Sequence, residues 1–306
     1  MEWAQFEEPT TGRLSPLGDV PEATWGFLLQ MRRRLEEGVN EFHYAPQAFG
    51  FAVPAEDPYQ EFLPALLRDA EDAGFAPEEL TALRLYLPVV IGAHLAKRQR
   101  KVFVVAHLAQ SLDGRIATRT GHSRWISNSA NLMHVHRLRA LVDAVLVGRG
   151  TAERDRPQLT VRHVAGRNPG RVSVSGACPG GTELFSGKGE DLCYHGGEAC
   201  GLEGHRVLSQ DGEVEPGALL KDLASRGWHS LLVEGGGGTV SRFISQGCWD
   251  RLQLHIAPVI LGEGVPGLRL PSVDTVEQAP RVSMTAYDLD GEVLIECRRK
   301  SAWRMN

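Results

Sequence analysis

The chain has 306 residues, 42% of them hydrophobic, with 33 Lys and Arg against 38 Asp and Glu for a formal net charge of −5. That length and apolar content suit one large domain or two ordinary ones with a real core, and the acidic balance excludes the broad basic field of a nucleic-acid binder. Five cysteines (Cys178, Cys193, Cys200, Cys248, Cys297) form an odd, widely spaced set without a Cys-x-x-Cys pair, which argues against a disulfide framework or a structural metal site and fits a reducing cytoplasm.

The opening MEWAQFEEPTTG is acidic and lacks a charged segment followed by an apolar one, and no apolar run reaches ~18 residues, so neither export nor a membrane span is expected. Residues 1–99 are rich in Glu, Leu, Ala and Pro. Apolar positions recur at helical spacing over 25–35, 61–74 and 77–87, which predicts a small helical N-terminal extension whose role stays open. Pro77 followed by Glu78 and Glu79 reads as a helix first turn, and Pro88 should end or kink that helix. The basic clusters at 32–34 and 97–101 read as solvated helix ends.

After KRQRK the pattern changes, placing a boundary near residue 100 and a second domain over 100–306. Strand-like runs at 102–108, 143–148 and 171–176 alternate with a helical run at 129–141, and shorter strands follow at 192–195 and 205–209. A helix over 216–227 ends at Gly227. SLLVEG, GTVSRFISQG and RLQLHIAPVI continue as strand, helix, strand, and the tail closes as a hairpin. Strands alternating with helices predict an α/β fold, a mostly parallel sheet with helices on both faces and an antiparallel C-terminal edge. The Gly-rich stretch 176–204 reads as a loop region.

Three places can carry chemistry. Glu234 ends an apolar strand, and Gly235, Gly236, Gly237 and Gly238 lead into a helix near Thr239, a position where a helix N-terminus favours a pyrophosphate. The spacing does not match Gly-x-Gly-x-x-Gly, and a tight turn explains the glycines as well. Asp155, Arg156 and Arg162 follow the strand DAVLVG and the turn from Gly148 to Thr151, where an acid and arginines can serve proton transfer and anion clamping or form a mixed-charge surface loop. The segment SLDGRIATRTGHSRWIS at 111–127 offers hydroxyl, indole and carboxylate groups. Arg139 on the preceding helix is a further candidate anion contact or a solvated residue, whereas His134 and His136 read as surface positions.

SLDGRIA, the Gly-x-Ser-x-Trp-Ile element at 121–126, Gly-Thr-x5-Pro-x-Leu-Thr-Val-Arg at 150–162, Val-Glu-Gly-Gly at 233–236 and IAPVILGEG at 256–264 resemble, in that order, the reductase domain of riboflavin biosynthesis. That domain is the C-terminal half of a bifunctional pyrimidine deaminase and reductase, with a dihydrofolate-reductase-like fold. The resemblance covers residues 100–298. It implies that Ala109, Trp125, Thr151 and Asp155 contact NADPH and that residues 236–242 hold its phosphates, with Gly148 and the run from Gly235 to Thr239 on the cofactor side. It implies that Ser123, Arg139, Leu159, Arg162 and Glu234, with His107, hold a ribosylaminopyrimidine 5′-phosphate. The implied reaction delivers hydride to ribose C1′, leaving a ribityl chain, with Asp155 as proton relay and Glu234 as its catalytic companion.

No metal and no membrane contact are implied, and a cytoplasmic homodimer is. Residues 1–100 contain no cysteine, so the Pro-Cys-x-x-Cys of a deaminase is missing and the expectation is a reductase without that half. Three positions depart from the family's usual pattern: His107 for Lys, Arg156 for Asp, and Ser175 for Asp. They leave two alternatives open, a reductase of a pteridine, folate-like or modified-nucleoside substrate, and a non-catalytic NADP-binding regulatory or scaffold protein.

Overall fold

A computed structural model describes residues 15–16, 20–54, 59–124, 126–176, 185, 189–196, 205–207, 209–210 and 212–299. Before residue 100 come strand β1 (Ser15–Pro16), helix α1 (Glu22–Glu36), a hairpin of β2 (Glu41–Tyr44) and β3 (Phe49–Ala52), and helices α2 (Tyr59–Asp72) and α3 (Pro77–Arg98). Then follow β4 (Phe103–Ser111), β5 (Arg115–Thr118), α4 (Ser129–Leu141), β6 (Ala144–Gly148), α5 (Arg149–Asp155), β7 (Gly170–Ser175), β8 (Asp191–His195), β9 (His205–Val207), β10 (Ser209–Gln210) and β11 (Glu213–Val214). The chain continues with α6 (Pro216–Ser225), β12 (Ser230–Val233), α7 (Gly237–Ser245), β13 (Arg251–Ala257), β14 (Gly264–Pro266), β15 (Val282–Leu289) and β16 (Glu292–Arg299).

Among the described residues ten strands form one sheet in the order β1-β15-β16-β13-β4-β12-β6-β7-β8-β9. Neighbours from β13 to β9 run parallel, and β13, β16 and β15 pair antiparallel at the C-terminal edge, as the alternation of strands and helices predicted. Period-2 alternation divides each central strand between two faces. Phe103 and Val105 of β4 join Val145, Leu232 and Leu294 under α1, α3 and α4. Val104, Ala106 and Leu108 join Leu146, Leu231 and Leu252 under α6 and α7.

The caps explain where the site helices begin and end. The Asn128 side chain accepts a hydrogen bond from Asn131 N (2.9 Å) to start α4, and the Glu215 carboxylate accepts from Gly217 N (2.9 Å) and Ala218 N (2.5 Å) to start α6. Gly227, at φ +83°, supplies the left-handed residue just past α6.

Two expectations fail for one reason, burial. Helix α3 runs through Pro88 to Arg98 because Leu85, Leu87, Val89, Val90 and Ile91 are all buried around it. Several side chains worth ~1.5–3 kcal/mol each outweigh the ~3 kcal/mol of a helical proline. Arg32 is buried rather than solvated, donating to Ala140 O (2.6 Å) and Asp143 Oδ1 (2.9 Å), whereas residues 97–101 are exposed. Helix α3 is also long and apolar enough to cross a membrane by length and composition, and 83% of its most apolar window is buried inside the protein. Its apolar length serves the core. Helices α1 and α3 share one apolar cluster with β4, β6, β12 and α4, and the Trp25 indole donates to Ala165 O (3.0 Å) across the boundary near residue 100.

Candidate functional site

From β6 the chain steps outward through β7, β8 and β9, then returns to insert β12 between β4 and β6. That reversal opens a crevice at the C-terminal strand ends, where α/β sheets bind ligands. Helix α7 starts there at Gly237, directly after β12 and Glu234. A cleft of about 590 Å³ is lined by Gly148, Arg149, Ser175, Gly238, Thr239 and Arg242, among others.

The glycine run allows close approach rather than unusual backbone angles, since none of Gly235, Gly236, Gly237 and Gly238 has a positive φ. A Cβ on Gly237 would strike the carbonyl oxygens of Pro266 and Gly267, and one on Gly148 would overlap Thr239 Oγ1. Gly235 is packed on the Thr239 side chain, Gly236 lies near Thr151 Oγ1, and Gly238 faces open space. The helix N-terminus with Arg149 and Arg242 alongside is chemically suited to an anionic nucleotide. Arg242 is steadied by Val214 O (3.2 Å) and Glu213 (3.3 Å).

Beside the cleft, Arg139 of α4 makes a forked pair with Glu234, Nε to Oε1 at 2.7 Å and Nη2 to Oε2 at 2.6 Å. Its Nη1 donates to Thr160 O (3.2 Å). Burial opposes the Arg139 charge, and Glu234 more than compensates, so the Arg139 pKa is raised. The pair thus presents an oriented carboxylate and a cation that is already committed.

His107 projects from β4 on the same face as Phe103 and Val105, and its Nε2 donates to Asn131 Oδ1 (3.1 Å). Burial, aided by His255 and Arg139 and opposed by Glu234 and the Asn131 bond, pushes its pKa down to about 4, so it stands neutral where a lysine would be charged. Next to it His134 accepts from Tyr86 Oη at Nδ1 (2.9 Å) and donates from Nε2 to Gln253 Oε1 (2.8 Å). Gln253 Nε2 donates to Glu296 (3.3 Å), which also pairs with Arg251 (3.2 Å), and His255 Nε2 lies 2.6 Å from Glu292.

This buried polar layer corrects the surface reading of His134 and His136, both of which are fully buried. Helix α4 packs over polar as well as apolar strand positions, so Asn131 and His134 share its buried side with Leu138 and Leu141. Asn131, Gln253, His255 and Glu296 escaped sequence reasoning. The usable signal was Arg, Gln and His at alternating positions 251, 253 and 255 of one strand.

The other expected positions divide. Thr151 lies half-buried early in α5, whereas Asp155 ends that helix exposed. Leu159 is buried at φ +53° on the segment that carries Thr160 and Arg162. Arg162 is exposed, and its Nη1 donates to Gln158 Oε1 (2.7 Å) and Thr160 Oγ1 (3.0 Å). Ala109 lies on β4 in register with His255, and Ser123 is exposed in the loop before α4. Trp125 lies outside the described residues. No group of three or more His, Cys, Asp or Glu suited to a metal occurs among the described residues.

Fold and site together define an α/β protein with a nucleotide-compatible cleft at the crevice of a mostly parallel sheet and an ionic pair beside it. The RibD C-terminal domain matches residues 102–286, more than half of the chain, and the chain belongs to that family. The α/β sheet, mostly parallel with an antiparallel C-terminal edge, is the architecture that the sequence predicted.

Among similar proteins, riboflavin biosynthesis protein RibD of Corynebacterium ammoniagenes is 32% identical over 184 residues, 59% of this chain and 50% of that protein. The 2,5-diamino-6-ribosylamino-4(3H)-pyrimidinone 5′-phosphate reductase of Archaeoglobus fulgidus is 33% identical over 179 residues, 52% of this chain and 82% of that one. The crystal structure of a diaminohydroxyphosphoribosylaminopyrimidine deaminase/5-amino-6-(5-phosphoribosylamino)uracil reductase from Thermotoga maritima is 26% identical with a TM-score of 0.55, covering 77% of this chain and 67% of that one. The chain spans about half the length of the RibD relatives it matches.

Proposed function

We propose that the protein is an NADPH-dependent reductase of a phosphorylated ribosylaminopyrimidine, converting its ribosyl side chain to ribityl in riboflavin biosynthesis or a related pathway. The observation that carries this reading is the juxtaposition of the cleft at the head of α7 with the forked Glu234–Arg139 pair one residue before the glycine run. Gly238, Thr239 and Arg242 would hold the phosphates of NADPH in the cleft, with Ala109, Gly148 and Thr151, and by the family's pattern Trp125, on the rest of it, and the cofactor would supply the hydride for ribose C1′.

The chain's own residues orient the substrate and manage one proton. The Glu234 carboxylate, fixed by Arg139, accepts hydrogen bonds from amino or hydroxyl groups of the substrate, and His107 offers a neutral contact. Arg162, with Ser123 and Leu159 beside it, holds the 5′-phosphate end. As the exocyclic nitrogen lone pair forms a C1′=N bond and the C1′–O4′ bond breaks, Asp155 relays a proton to ribose O4′, leaving an iminium carbon to take the hydride. The same reading places the protein in the cytoplasm as a homodimer.

The test is NADPH oxidation against a panel of deaminated and undeaminated ribosylaminopyrimidine 5′-phosphates, dihydropteridines and dihydrofolate, with mass detection of the product. A two-hydrogen mass gain on a ribosylaminopyrimidine alone supports the reading. Turnover confined to a pteridine or folate replaces it, and tight NADPH binding with no turnover on any member removes the catalytic reading.

A further inference from the structure

Residues 157–169 carry Leu159 and Arg162 yet belong to no helix or strand. Side chains do the holding. The Asn168 side chain accepts a hydrogen bond from Val161 N (2.8 Å), Arg139 reaches Thr160 O (3.2 Å), and the Arg162 backbone N–H donates to His136 Nδ1 (3.0 Å). His136 and Arg139 stand three residues apart on α4, so one helix face grips the segment at two points.

We propose that His136 is a positioning residue for substrate, its ring setting the place of Arg162 beside the Arg139–Glu234 pair. The inference rests on the reductase reading and adds a residue that touches neither substrate nor cofactor. Its geometry leaves little freedom. The ring is fully buried, it packs edge-on against His163 with centroids 4.5 Å apart, and because Nδ1 accepts, the proton must sit on Nε2, which has no partner. A buried N–H without a partner is costly, so the tautomer is explained by what the other nitrogen does. Burial first, then Arg139, His163 and Arg162, hold the pKa down to about 4 against the pull of Glu234, and the acceptor is therefore present throughout the neutral range.

His136→Asn and His136→Leu separate positioning from packing, because the Asn Oδ1 can stand where Nδ1 stood and Leu offers no acceptor. With the Leu variant KM for the phosphorylated substrate should rise about tenfold, the effect of one lost hydrogen bond to a buried donor. Its kcat and its Kd for NADPH should stay within about twofold of wild type, and the Asn variant should recover most of the KM.

Amide exchange at Arg162 gives a reading independent of turnover. Protection should fall in the Leu variant and persist in the Asn variant. Unchanged Arg162 exchange in the Leu variant, or an unchanged KM, overturns the proposal. Wild-type protein that turns over no ribosylaminopyrimidine instead removes the reductase reading, while the exchange measurement still decides whether His136 holds the segment.

Discussion

At the scale of single residues, His107 is neutral because it is buried, and that has a measurable sign. Its ordinary pKa of 6.5 falls to about 4 in the fold, so between those values the unfolded chain binds more protons than the native one. Its contribution to stability is present above pH 6.5 and is lost as the pH falls toward 4. For this one group the loss between pH 7 and pH 4.5 is about 2 kcal/mol. Urea unfolding across that range should show a steeper decline for wild type than for His107→Gln, which keeps a donor for Asn131 and cannot titrate; equal slopes refute the assignment. Glu234 and Arg139 were legible one at a time, Glu234 from its place at a strand end and Arg139 from its charge on a helix. Their pairing across 95 positions was not, because a contact so distant in sequence is set by how β12 inserts into the sheet. His134 and His136 misled for a related reason: their partners, Gln253 on β13 and the Arg162 backbone after α5, cannot be read from α4 alone.

At the scale of elements, the glycines at the head of α7 have different tasks. Gly237 is pressed against the backbone carbonyls of Pro266 and Gly267, and Gly238 opens on the cleft. Gly237→Ala should therefore cost about 1–3 kcal/mol in unfolding free energy, in the range of overpacking a tight contact. Gly238→Ala should melt within a degree or two of wild type while weakening NADPH binding, measured by fluorescence titration. The opposite assignment of the two effects would place the cofactor phosphates elsewhere. Most strands and helices after residue 100 were legible because their periods are clean, and α4 begins and ends at the expected residues, whereas α5 stands where a turn and loop were expected and the short β5 and β14 were not read. Pro88 was not, since helix-breaking is a local cost and the burial that overcomes it is supplied by strands distant in the chain. Nor was the β2–β3 hairpin, which interrupts an otherwise helical extension.

At the scale of the whole molecule, the first hundred residues share an apolar cluster with the sheet. Removing residues 1–99 would uncover Phe103, Val105, Val145 and Leu232 on one sheet face, and four such side chains at ~1.5–3 kcal/mol each are comparable with the whole ~5–15 kcal/mol margin of a typical domain. The truncated chain is expected in the insoluble fraction, with no cooperative melt if recovered; a soluble, cooperatively melting product would show that the sheet stands alone. The order of elements along the chain has a further consequence for synthesis. Helix α3 emerges from the ribosome before every strand of the ten-stranded sheet except the edge strand β1, and β4, the strand at its foot, is flanked by β12 and β13, made more than a hundred residues later. Until then a 22-residue helix apolar enough to resemble a membrane segment has only α1, α2 and the β2–β3 hairpin to lie against, and its sheet-facing side stays uncovered. The nascent chain therefore passes through a long interval in which its most greasy helix is a target for chaperones and for the membrane-targeting machinery, an interval closed only when the last parallel strands arrive.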